Sequence, residues 1–197
     1  MKKIFITILL VSLIAVVPGC GNRKVKVTSE SFKKMELTGN LVTHVAYFHN
    51  VLEYNKDKGK GLDGFLEKDR RMFVEYTGTV KLGIDLKEVH IDDVDNGIKV
   101  FIPKAKIIGD PNIDDKDFSD KKFIESNDAF FNKNPITNDD VSEAMDKAQK
   151  EVRKNTLKDE DSLALAQKRA KVLIEEKLCQ FSGLEIDDLN ITWEYGQ

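Results

Sequence analysis

From Met72 to Ile84 every second residue is apolar or glycine: Met72, Val74, Tyr76, Gly78, Val80, Leu82 and Ile84, with Glu75, Thr77, Thr79 and Lys81 between them. Side chains of an extended chain point alternately to two faces, so a period of two held over thirteen residues specifies a long half-buried strand. Such a strand cannot stand alone, because its backbone needs ladder partners and its apolar face needs a cover. Gly78 lies on the apolar face and predicts a bulge or the close approach of another backbone there.

The rest of the chain supplies the partners. Leu37 to Tyr54 is rich in β-branched and aromatic residues and reads as one strand with room for a bulge. Val89 to Ile91 and Ile98 to Ile108 read as a hairpin around Asp95-Asn96-Gly97, since Asn-Gly accepts positive φ. Pro103 lacks an N–H donor, so it puts its strand at an edge or breaks it. Thr137-Asn138-Asp139-Asp140 starts a helix with acidic residues in its first turn, and Val141, Ala144, Met145, Ala148 and Val152 make its stripe.

A second helix runs from about Asp161 to Ser182 and stops at Gly183, a residue suited to a left-handed cap. Its main stripe is Leu163, Ala166, Ala170, Leu173, Ile174 and Phe181. A second stripe, Leu165, Val172 and Cys179, lies almost opposite at ~100° per residue, which predicts cover on both sides, by the sheet and by the preceding helix. Leu189, Ile191, Trp193 and Tyr195 then alternate with Asn190, Thr192 and Glu194 as a closing strand. The order gives an α+β domain: an antiparallel or mixed sheet of about five strands, two C-terminal helices and a closing C-terminal strand.

The N-terminus belongs to no such domain. Lys2 and Lys3 precede fourteen mostly apolar residues, Ile4 to Val17. As a helix that run would reach about 21 Å, short of the ~30 Å hydrocarbon core, but it fits the apolar region of a secretory signal. Val17-Pro18-Gly19-Cys20 follows, and this resembles the lipobox of bacterial lipoproteins, in which a diacylglyceryl group joins the cysteine sulfur and the signal is cut before it. Pro18 departs from the usual small residue. The expected organisation is a signal peptide over residues 1–19, a lipid-anchored polar tether over 20–36, and a single α+β domain over 37–197. Cys20 is then an attachment point, and the membrane is a partner through that anchor. Two acyl chains suffice for stable anchoring.

Lysine and arginine number 31 against 34 acidic residues, and loss of Lys2 and Lys3 leaves 29 against 34. The signs interleave without a basic block, which excludes nucleic acid as the expected partner. With Cys20 lipidated, Cys179 has no cysteine to pair with, and stability must come from packing.

Motifs for chemistry are sparse. On an uninterrupted strand His44 and His49 face opposite sides, and they do not converge on a metal with His90. Asp92 to Gly97 misses the EF-hand ligand spacing and is explained by the hairpin turn. Asp110 to Asp120 reads as a solvated acidic loop rather than a calcium site, and Gly59 to Gly64 lacks the spacing of a phosphate-binding loop. Cys179, on a helical stripe, reads as a small buried hydrophobe. No catalytic residue, cofactor or metal is expected.

The run Tyr76-Thr77-Gly78-Thr79-Val80-Lys81-Leu82-Gly83-Ile84-Asp85-Leu86 resembles an uncharacterised bacterial family, the domain of unknown function numbered 4230. Thr43 to Val51, Ile102 to Ile107 and the two alanine-containing helices extend the resemblance over roughly residues 37–195. It implies membrane-attached bacterial proteins and carries over no functional residue. The expected function is a non-enzymatic binding or interaction module on the outer side of the membrane, with an envelope protein or glycan as partner. The alternative is an envelope hydrolase in which carboxylates, Asp85 among them, meet His90 only in three dimensions.

Overall fold

The computed structural model describes residues 28–32, 37–61, 67–95, 97–114, 123–125 and 134–196. A short helical turn, α1 (Ser29–Phe32), precedes two long strands, β1 (Asn40–Lys56) and β2 (Arg70–Asp85). Then come β3 (His90–Val94), β4 (Gly97–Ile102), β5 (Lys106–Ile107), β6 (Asn112–Ile113) and β7 (Phe123–Glu125). Helices α2 (Asn138–Thr156) and α3 (Glu160–Ser182) lead to the last strand, β8 (Ile191–Tyr195).

The expected α+β class holds, with the strands divided between two sheets. β1 and β2 form an antiparallel hairpin in register from Asn40↔Asp85 to Lys56↔Arg70, interrupted by a bulge between Val42 and His44. On its other side β2 takes three short antiparallel partners in turn: β5 at Leu82–Gly83, β6 at Gly78–Thr79 and β7 at Met72–Val74. Among the described residues β2 is therefore central and β1 is an edge. The second sheet has the order β3-β4-β8, with β8 parallel to β4. β4 ends at Ile102, just before Pro103, and the chain then crosses to the larger sheet as β5, so the proline breaks the expected strand.

The period of two along β2 is realised in full. Met72, Val74, Tyr76, Val80, Leu82 and Ile84 are all buried, each removing apolar surface worth about 1.5–3 kcal/mol when fully covered. Gly78 marks a close approach: a methyl group on it would lie 2.2 Å from the Asn112 carbonyl oxygen of β6 and 2.5 Å from the Phe48 ring.

Two apolar clusters divide the hairpin. α2 lays Ala144, Ala148 and Val152 over Leu52, Tyr54, Met72, Val74 and Tyr76. α3 lays Leu163, Ala166, Ala170, Ile174 and Leu178 over Val80, Leu82, Ile84 and the β4 residues Ile98, Val100 and Ile102. The start of α2 and the stop of α3 follow the predicted chemistry, and α3 begins with a cap that the sequence reading did not name. Thr137 and Asp140 form a reciprocal capping box on α2, Asp159 caps α3, and Gly183 ends α3 at φ 70°.

The two-sided cover predicted for α3 does not occur. Leu165 is 38% and Val172 45% exposed, and Cys179 is only half-buried. Leu173 and Phe181, assigned to the main stripe, are 39% and 50% exposed, while Leu178 is fully buried in their place. The reason is layout. α2 and α3 sit on different clusters along one long hairpin, so neither covers the back of the other. Within the stretch expected as a tether, Ser29–Phe32 forms a helical turn and Phe32 is buried against the α3 cluster.

Candidate functional site

Two polar clusters and one exposed strand edge stand out among the described residues. At the far end of the hairpin, Lys56 donates to the Asp140 carboxylate at 2.6 Å and to the Pro135 carbonyl at 2.9 Å, and the Tyr54 hydroxyl donates to Glu143 at 2.9 Å. Burial pulls the Asp140 carboxyl up, but bonds from Lys56 and Thr137 outweigh it and hold the group below its ordinary range. Burial, then the Glu143 carboxylate, pushes the Tyr54 phenol far up. Asn134 donates to the carbonyls of Asp57 and Lys68, at 3.2 Å each. These bonds pin the start of α2 to the hairpin end.

Where β2 ends, Lys106 bridges Asp85 at 3.3 Å and Glu88 at 3.0 Å. Asp85 also accepts the Lys87 N–H, the main cause of its lowered carboxyl, with Lys106 adding to it. His90 is elsewhere. It stacks on Phe101 and lines a recess of about 530 Å³ between α1 and β3, with Ser29, Phe32, Leu37, Val89, Ile91 and Asp92. Asp85 and His90 are thus in separate surroundings.

The remaining histidines diverge as predicted. His44 faces Arg169 of α3 at 3.1 Å, whereas His49 bonds Glu75 on the outer face of the sheet. The bulge lies before both and leaves their opposite orientation intact. Among the described residues no group of histidine, cysteine and carboxylate side chains could hold a metal. Asp110 pairs with Arg153 at 2.7 Å and the Asp114 N–H donates to the Thr77 carbonyl at 3.0 Å, while residues 115–120 of the acidic loop lie outside the described residues. Burial raises the Cys179 thiol, with Glu185 and Glu175 adding to it. Cys20 and the signal-like run also lie outside the described residues, among which no helix is long and apolar enough to cross a membrane.

The third feature is the outer side of β1, which sequence reasoning missed. Its even residues Phe48, Leu52 and Tyr54 join the α2 cluster, and its odd residues Val45, Tyr47, His49 and Val51 face solvent. Tyr47 is 83% and Val51 62% exposed. The available signal was Val45, Tyr47 and Val51 at odd positions, with His49 the one polar side chain among them: a stretch largely apolar on both parities carries a second apolar face that something must meet.

The backbone of the same residues also points outward. Lys81 accepts from Ile108 and Thr77 accepts from Asp114, both on the side of β2 away from β1. Antiparallel pairs alternate between bonded and non-bonded, so their partners Val45 and His49, and by alternation Tyr47 and Val51, aim N–H and C=O away from β2. Arg169 donates to the Thr43 carbonyl and Lys147 to the Glu53 carbonyl, so both ends of this edge are occupied by helix side chains. Between them lies an open window.

Comparison with curated proteins and with solved structures finds no match. A family model, described as protein of unknown function (DUF4230), matches residues 33–190, and the chain belongs to that family.

Proposed function

We propose that this protein is a lipid-anchored lipoprotein of the bacterial cell envelope, facing the extracytoplasmic side, and that its folded domain is an interaction module rather than an enzyme. Support for the anchor comes from Lys2-Lys3, the apolar run Ile4 to Val17, and Val17-Pro18-Gly19-Cys20. The interaction reading is carried by the window on β1, where Val45, Tyr47, His49 and Val51 offer an exposed side-chain face and outward backbone groups together. The carboxylates with lowered proton affinity have structural work already: Asp140 and Asp159 cap helices, and Asp85 binds Lys106. The partner class that fits an open strand edge is protein.

Growth in labelled palmitate tests the anchor. Wild type takes up label and Cys20→Ala does not; undiminished label on the variant overturns it. A photo-crosslinking residue at position 47 tests the surface in intact cells, with exposed Glu160 as the control position. Adducts at 47 well above those at 160 support the reading, and equal levels overturn it.

A further inference from the structure

Resting on the reading of β1 as the interaction surface, we propose that its occupant is a second copy of this chain. Two β1 strands pair antiparallel about a two-fold axis through Phe48, joining two larger sheets into one.

The register follows from the window. The outward groups belong to Val45, Tyr47, His49 and Val51, a span of about 20 Å centred on Phe48. A two-fold on Phe48 sets Val45 opposite Val51 of the second copy and Tyr47 opposite its His49. All four residues of each copy then exchange bonds, roughly eight in total. A two-fold on Tyr47 instead sets Val51 opposite Thr43, whose carbonyl already accepts from Arg169, and loses part of the ladder.

The ends of the window fit the same register. With the axis on Phe48, Thr43 faces Glu53 of the second copy, so the two carbonyls that Arg169 and Lys147 occupy fall opposite each other and bound the ladder symmetrically at both ends. On the outer face, valine meets valine and tyrosine meets histidine, with no like charges directly opposed. The window also lacks the usual guards of a strand edge: residues 44–52 contain no proline and no lysine. Copies anchored in one membrane meet at raised local concentration, which a strand-to-strand contact of modest size can use.

The test uses the full lipidated chain in mild detergent, with its mass followed by sedimentation over a range of concentrations. Wild type is expected to be a dimer, and a photo-crosslinking residue at 47 is expected to join the peptide holding His49 of the second copy. Tyr47→Pro removes an outward N–H that β2 does not use, and Val51→Lys adds a charge at an exposed position. Each is expected to weaken association at least tenfold with an unchanged circular dichroism spectrum. If Tyr47→Pro misfolds, Val51→Lys decides alone. A wild-type monomer throughout, a dimer that Val51→Lys leaves untouched, or cross-links mapping away from β1 overturns the pairing. Adducts at 47 to another polypeptide with this chain monomeric overturn it too, while leaving the interaction surface standing.

Discussion

Lys56 and Asp140 meet at 2.6 Å, tying the last residue of β1 to the first turn of α2 with both side chains mostly shielded from water. Asp140 also accepts from the Thr137 N–H and hydroxyl, so one carboxylate holds the helix cap and the hairpin end at once.

Asp140→Asn is expected to cost roughly 1–3 kcal/mol, read as a lower denaturant midpoint at pH 7. The wild-type carboxyl is held below its ordinary value of 3.8, so its contribution is present above that pH and is lost as the pH falls through the folded-state value. Stability of Asp140→Asn should therefore fall less steeply than that of wild type below about pH 4. Equal slopes would show that the pair does not drive the acid sensitivity.

The one-sided burial of α3 predicts unequal mutants on one helix. Leu178→Ala should cost about 2–5 kcal/mol, because its side chain is fully buried. Val172→Asp should stay within about 0.5 kcal/mol of wild type, because that side chain meets solvent. Chemical denaturation of both decides, and a damaging Val172→Asp would mean that the back of α3 is covered in solution.

Gly78→Ala should destabilise by about 1–3 kcal/mol although only a methyl group is added. The new carbon would press on a backbone carbonyl of β6, which cannot swing aside as a side chain end can. A denaturant midpoint equal to wild type would show that β6 yields at no cost.

Cys179 should react slowly with a thiol reagent near neutral pH, because burial and two nearby carboxylates keep the thiol protonated. The measurement is clean in Cys20→Ala, where Cys179 is the sole cysteine. Reaction should accelerate sharply on unfolding, and a fast reaction in the native protein would contradict the half-buried placement.

Legibility in the sequence tracked how local the cause was. β2, the Thr137 cap and the Gly183 stop were all readable, because alternation, a capping residue and a left-handed glycine act within a few residues. Pro103 announced a break but not that Lys106 and Ile107 would pair with the other sheet. Leu165 and Val172 implied a cover because periodicity reports apolar character, not what lies opposite. The same limit hid the edge at Val45 to Val51, since which strand ends a sheet depends on where β5, β6 and β7 dock. Asp85 and His90, near in sequence, were separated by the 3₁₀ turn Leu86–Glu88.

The parallel pairing of β8 with β4 has a consequence for synthesis. Ile98 finds its neighbour in Ile191 and Val100 in Trp193, across a long intervening stretch that includes both major helices. A chain made from its N-terminus must complete β3 and β4 while that neighbour does not yet exist, and then close a loop of high contact order to acquire it. Until residues 191–195 emerge, one side of β4 has an unfilled hydrogen-bonding edge. The closure that completes the second sheet is therefore also the step at which a nascent chain is most open to pairing with the wrong strand.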